Sequence, residues 1–235
     1  MKTDVETLAT YPMESEDWLV TVAIGGVLSI LSVLIVPVFL VAGYLVRALR
    51  AGMEEASEPP VFDDWGELLK EGFVASVITF VYQLVPSIVL VFFVGGSILS
   101  FATGSDAGVG LGLLGLFGGL FVWWVLAIVF GYVGFAGVAN YAETGTFGAG
   151  FDVGVISTVV TSRAYAVAWL YVVALQIVVG VVTGLLNVVP VLGGIVGIFL
   201  GFYALIIAGW LWGDGFASAT GTHVGSSTDE GAAVV

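Results

Sequence analysis

The 235-residue sequence contains no cysteine and one histidine, His223, and only 5 of its residues are Lys or Arg. The missing cysteine excludes disulfides and thiolate metal sites. A single histidine in a Gly-, Ser- and Thr-rich stretch leaves nothing from which to build a histidine-ligated metal centre or a Ser-His-Asp triad. Scarce basic residues argue against nucleic acid as a partner, because the phosphate backbone is bound by clustered Lys and Arg. Charge is scarce altogether, at 10% of residues, whereas a soluble domain carries about 25%.

What fills the sequence is apolar. Residues of the set AVILMFWYC make up 59%, glycine contributes 34 positions, and mean hydropathy is +1.13. A water-soluble fold cannot hide that much apolar surface, so the expected class is an all-α membrane protein. The charge that is present is acidic: 18 Asp plus Glu give a formal net charge of −13. Such a surface suits a solvent in which repulsion is screened, as in molar salt with a Debye length of about 3 Å, and points to a halophile.

Crossing a hydrocarbon core of about 30 Å takes about 20 predominantly apolar residues. Five regions qualify: 18–46, which ends at Arg47 and Arg50, then 73–101, 109–139, 164–186 and 190–212. Pro37 and Pro86 are the expected kink points, since each removes an intrahelical hydrogen bond. The tight turn 187–190 makes the last two helices a hairpin. The resulting organisation is an acidic N-terminal segment over 1–17, one polytopic membrane domain over 18–213, and a flexible acidic tail over 214–235. Residues 1–17 hold five acids and do not read as a signal peptide, which requires a basic start.

Arg47, Arg50, Lys70 and Arg163 all fall in the connections after the first and third spans. The positive-inside rule then predicts that these connections are cytoplasmic, with the N-terminus outside and the C-terminus inside.

The first connection holds the most specific pattern. Pro59-Pro60 stops any preceding helix, Asp64 with Glu67 reads as a capping box, and Phe62, Trp65, Leu68, Leu69 and Phe73 share one helical face. This predicts an amphipathic helix on the membrane surface with its acids toward water, either a brace or an element that docks a partner. Phe151-Asp152 repeats Phe62-Asp63. A gapless alignment from there places Ala164 on Ala75, Trp169 on Phe80 and Tyr171 on Tyr82, so a second interfacial helix and a parallel repeat of units 18–101 and 109–186 are expected, followed by helix 190–212. Phe62, Asp63, Asp64, Trp65, Phe151 and Asp152 are the docking candidates, and Glu143 and Asp214 are further membrane-edge acids.

Glycine spacing predicts close helix packing at Gly193, Gly197 and Gly201, at Gly108 and Gly112, and at Gly180 and Gly184. The ridges suit a core within one chain or an interface with a second copy, and oligomeric state is open. No charged residue lies centrally in any span, which argues against an ion pump or proton-coupled carrier. Gln83, Gln176, Asn140 and Asn187 are expected to hydrogen-bond between helices.

Several of these residues carry a resemblance. Val36-Pro37, Gly43-Tyr44 with Arg47 and Arg50, Pro59-Pro60 with Phe62, Asp64-Trp65, Gly72, Tyr82 and Pro86 resemble the domain-of-unknown-function 4013 family of haloarchaeal membrane proteins. Asn140-Tyr141-Ala142, Thr144-Gly145, Phe151-Asp152 and Trp212-Gly213 extend the likeness over nearly the whole chain. The resemblance implies an archaeal plasma-membrane protein and supplies no activity. The reading is therefore a non-enzymatic membrane scaffold without a cofactor, embedded in the lipid bilayer and docking a protein at its cytoplasmic face. The alternative is a passive channel or facilitator.

Overall fold

A computed structural model describes residues 5–222; Lys2, Asp4 and His223 lie outside them. The described residues are helical, with α1 Val5–Thr10, a 3-10 turn Tyr11–Met13, α2 Trp18–Ile30, α3 Val36–Met53, α4 Trp65–Phe101, α5 Asp106–Thr144, α6 Val153–Thr161, α7 Arg163–Leu186 and α8 Pro190–Thr220. Five of these, α3, α4, α5, α7 and α8, are long and apolar enough to cross a membrane. The chain forms two compact units: residues up to Ser76 and from Ala136 onward make the first, and Val77–Phe135 the second.

Within the first unit α8 is the central helix, and α2, α3 and α7 all pack on it. Close approach is made by glycines. A Cβ on Gly52 would overlap the Trp210 carbonyl, one on Gly213 the Leu49 carbonyl, and one on Gly43 the Leu68 carbonyl. Without side chains at these points, backbones approach to van der Waals distance, which is the main source of helix association where lipid competes for apolar contact. Tyr44, Leu49, Leu68, Tyr165, Ile206 and Phe216 fill the core between them.

The stretch 18–46 is not one span. The helix breaks after Ile30, passes through a 3-10 turn at Leu31–Val33, and reverses at Ile35, whose φ of 28° is rare for a β-branched residue. Along α2, Gly25 faces the Phe202 ring and Gly26 the Phe199 ring, so this helix runs antiparallel to α8. Along α3, Tyr44 faces Phe202, Ala48 faces Gly209 and Leu49 faces Gly213, so this helix runs parallel to α8. The two form a hairpin. Pro37 accordingly does not kink a span but sits in the first turn of α3, where its missing N–H has no intrahelical partner to lose.

The hairpin also brings its two ends together. Tyr11, ahead of α2, donates its hydroxyl to the Glu58 carbonyl at 3.1 Å, and its ring lies 5.7 Å from that of Trp210. Residues before α2, after α3 and at the end of α8 therefore share one face of the unit.

Two other boundaries differ from the reading by pattern. The surface helix expected ahead of the second span is continuous with it: α4 starts at Trp65 and runs unbroken through Pro86 to Phe101. The last helix does not end at Trp212; it continues to Thr220 and stops at Gly221 in the left-handed conformation, whose N–H reaches the Ala217 carbonyl at 2.8 Å. Residues 214–220 are thus helical, and residues beyond 222 lie outside the described part.

The second unit is a helical hairpin closed over residues 102–105. Gly119 packs against the Phe93 ring, Gly112 against Phe101, and Gly108 against Thr103 and the Ser100 carbonyl. Gln83 Nε2 donates to the Ala127 carbonyl at 3.4 Å, an interhelical bond of the expected kind.

Candidate functional site

The shared face of the first unit is built around the loop 54–64, and nearly every fold in it has a visible cause. The C-terminal turn of α3 closes with Glu55 at φ 51° and a bond from the Ala56 N–H to the Ala51 carbonyl at 2.8 Å. Trp210 Nε1 donates to the Ala56 carbonyl at 3.3 Å, and the buried Tyr44 hydroxyl donates to the Pro60 carbonyl at 2.9 Å. Pro59 and Pro60 hold the chain extended between these anchors. Phe62 then inserts into an aromatic cluster, stacked on Tyr44 at 4.6 Å and 5.8 Å from both Trp65 and Phe202.

Two arginines of α3 complete the lock. Arg47 is ion-paired to Asp63, donates to the Val61 carbonyl at 3.3 Å, and lies 4.0 Å from Glu67. Arg50 donates through Nε to the Ala142 carbonyl at 2.7 Å and through Nη1 to Glu71 Oε1 at 2.5 Å. Glu71 is only 6% exposed, and its Oε2 finds no hydrogen-bond donor among the described residues. The expectation that every acid of this segment faces water fails here. Asp214, 5% exposed on α8, is likewise buried, while Asp63, Asp64, Glu143 and Asp152 are exposed. Burying the Glu71 carboxylate costs desolvation, which the half-buried Arg50 offsets by pairing with it.

The candidates Phe62, Asp63, Asp64 and Trp65 are brought together, with separate roles. Phe62 and Asp63 are structural, one in the aromatic cluster and one on Arg47. Asp64, at φ 36°, accepts from the Glu67 N–H at 3.2 Å, which is the first half of a capping box; the Glu67 carboxylate turns toward Arg47. Leu68 is fully buried, but Trp65 is 47% exposed and Val61 40%, with Leu69 and Phe73 also outward, so the five apolar residues do not share a single buried face.

Phe151 and Asp152 belong to a different loop, between α5 and α6. Asn140 pins it by donating to the Ala149 carbonyl at 2.8 Å, and Asp152 caps α6 by accepting from the Gly154 and Val155 N–H groups at 2.9 and 3.2 Å. Here the capping acid follows Phe directly, whereas in the first loop it comes one residue later. Asn187 bonds within its own helix, to the Thr183 carbonyl at 2.9 Å.

The glycine ridges divide. Gly193 packs on the Leu186 carbonyl and Gly197 on Thr183, closing the α7–α8 hairpin, but Gly180, Gly184 and Gly201 face open space. Sequence spacing missed the glycines that approach backbone most closely, Gly43, Gly52, Gly72 and Gly213. It also missed the Arg50–Glu71 pair, although both partners lie one turn from Arg47 and Glu67 respectively.

Cavities border the unit. One of about 400 Å³ lies under the loop, lined by Arg47, Arg50, Glu54, Glu58 and Asp63 among others. Another, about 530 Å³, lies between α7, α8 and α1 and is apolar apart from Tyr171 and Tyr203, whose hydroxyl donates to the Ala9 carbonyl at 2.5 Å. Among the described residues no group of His, Asp and Glu is disposed to hold a metal ion.

The family described as protein of unknown function (DUF4013) has a model that matches residues 27–188. The chain belongs to this family. No curated protein and no solved structure matches it. The DUF4013 match covers α3 through α7 and stops before α8, so the helix on which the first unit is assembled lies outside it. Gly43, Tyr44, Arg47, Arg50, Phe62 and Gly72, which make the lock, all lie within it.

Proposed function

We propose that this protein is a non-enzymatic scaffold of the plasma membrane that docks a basic partner protein through the face carrying residues 54–67, with that face in the cytoplasm. The observation that carries the reading is the exposure of Trp65 and Val61 beside Asp63 and Asp64, on a loop whose backbone is held by Tyr44, Arg47 and Trp210. Exposed tryptophan is a preferred interface anchor. Holding it before binding removes much of the ordering cost that a mobile loop incurs. The partner's charge is inferred from Glu54, Glu55, Glu58, Asp63 and Asp64 around the anchor, and from Glu14, Glu16 and Asp17 brought to the same face by the hairpin.

Arg47, Arg50, Lys70 and Arg163 near this face support its cytoplasmic placement. The first turns of α4 and helix α6 then lie at the membrane interface. The overall acidity agrees with a salt-rich, haloarchaeal cytoplasm. The apolar lining between α7 and α8 favours a scaffold over a facilitator, which needs polar groups along its path.

The test is a photo-crosslinking residue at Trp65 in native membranes. A discrete protein adduct is expected, with its yield reduced several-fold by Glu58→Lys, which removes acidity without touching the lock. Adducts to lipid alone, with the same yield in both proteins, would defeat the reading.

A further inference from the structure

We propose that α2 and α3 form a re-entrant membrane hairpin, which enters and leaves the bilayer at the face carrying residues 54–64 and buries its tip, residues 30–38, in lipid hydrocarbon. This rests on the hairpin's geometry and is independent of the docking role.

Both ends of the hairpin are fixed at one face. Tyr11 and Glu14 stand beside Glu55, Ala56 and Ser57, and Arg47 is held to Asp63 and Glu67, whose side chains are 70% and 57% exposed. Those two carboxylates mark the water boundary, and Arg47 with them.

Lengths then limit how far the tip reaches. From Arg47 inward, the apolar residues 36–46 rise about 16 Å, and the arm Trp18–Val33 about 24 Å, at 1.5 Å per residue. The whole of α3 has the length of a span only when Arg47–Met53, at and beyond the water boundary, are counted; the two apolar arms fall short of a hydrocarbon core of about 30 Å. The tip stops inside the core instead of emerging from the far side.

The chemistry of the tip fits that location. Val33 is 86% exposed, and Leu34, Ile35 and Val36 are also outward, with no charged side chain between Trp18 and Val46. Water would penalise this exposure, whereas acyl chains do not. Irregular backbone is costly in hydrocarbon wherever its polar groups lack partners, and here it is confined to the few residues from Leu31 to Ile35, with helix on both sides. The Leu34 N–H bonds the Leu31 carbonyl at 2.8 Å and the Val38 N–H the Ile35 carbonyl at 3.1 Å. The hydroxyls of Ser29 and Ser32 turn back to the Gly25 and Leu28 carbonyls at 2.7 and 3.0 Å. Pro37 brings no donor to the opening turn of α3.

The absence of native cysteine makes the test direct. Single cysteines replace the exposed residues Glu16, Ser57, Val33 and Val188 in the full chain, in sealed membrane vesicles of both orientations, treated with a membrane-impermeant maleimide. Re-entry predicts that Glu16→Cys and Ser57→Cys react from one side and Val188→Cys from the other, and that Val33→Cys reacts from neither. Val33→Cys is expected to react with the same maleimide once the membrane is dissolved and the protein denatured in SDS, where water can take the thiol proton, which shows that the thiol is present and unblocked. Reaction of Glu16→Cys and Ser57→Cys from opposite sides would overturn the hairpin. Reaction of Val33→Cys from the Val188 side would replace re-entry by two full crossings.

Discussion

The two ends of the first unit solve opposite solvation problems with similar residues. At the end carrying the loop 54–64, aromatic rings are stacked out of solvent and arginines are enclosed by carboxylates and carbonyls, so polar groups lie within and close packing surrounds them. At the other end, Val33 and Val188 are each 86% exposed, Val191 is outward, and a Cβ on Gly194 of α8 would meet no atom within 4 Å. The proposed membrane placement accounts for both: water favours the burial seen at the first end, and lipid would remove the incentive for it at the second. The first end is therefore held by ion pairs and buried hydrogen bonds that one mutation can break, whereas the second rests on apolar close approach such as Gly193 on the Leu186 carbonyl.

The largest expected effect comes from the Arg50–Glu71 pair. Arg50→Ala would leave the Glu71 carboxylate buried without its cation; removing one member of a fully buried pair costs about 3–5 kcal/mol, an upper bound here because the Arg50 side chain is 31% exposed. Thermal unfolding in detergent should show that loss. The companion variant carrying Arg50→Met and Glu71→Leu together should recover most of it, because no buried charge is then left over. Equal losses in the two proteins would mean that packing by the arginine stem, and not charge, is what the site requires.

Next in size is Gly213→Ala. Its methyl would enter the Leu49 carbonyl, which is backbone and cannot swing aside, so α3 and α8 must separate. Overpacking of this sort costs about 1–3 kcal/mol, to be read as a lowered unfolding midpoint. Tyr44→Phe is expected to cost about 1 kcal/mol. It keeps the ring stack with Phe62 and deletes only the hydroxyl bond to Pro60. Faster hydrogen exchange confined to residues 56–62 would distinguish a loosened loop from a destabilised core.

The same contrast explains how far pattern reading reaches. Hydropathy and length identify α4, α5, α7 and α8 as apolar helices because lipid-facing segments announce themselves residue by residue. They fail at 18–46, where an uninterrupted apolar run conceals a reversal at Ile35: no Gly, Asn or charge marks the turn, and Pro37 suits a kink as well as a helix start. The loop was legible in part. Asp64 and Asp152 are recognisable as caps because each stands directly ahead of a helical run. The burial of Glu71 was not legible, because Lys70-Glu71 reads as a solvated surface pair and the Arg50 that neutralises it comes from another helix. Spacing also ranked Gly193, Gly197 and Gly201 above Gly43, Gly52 and Gly213, since a ridge is periodic whereas the closest approaches are set by where two helices cross.

The smallest effect sharpens the comparison most, because it reverses sign within one helix. Gly201 lies on α8 twelve residues before Gly213, and a Cβ added there meets no atom within 4 Å. Gly201→Ala therefore adds no clash and reduces the freedom of the unfolded chain, a change that stabilises by about 0.4–1 kcal/mol where the backbone accepts it. An alanine at 213 should lower the unfolding midpoint and an alanine at 201 should raise it slightly, both measured in detergent micelles. If both lower it, Gly201 is making a contact beyond the described residues, and that face of α8 is covered. If both are neutral, α3 and α8 do not cross as closely as the Leu49 carbonyl implies, and the distinction between a packed end and a lipid-facing end loses its physical basis.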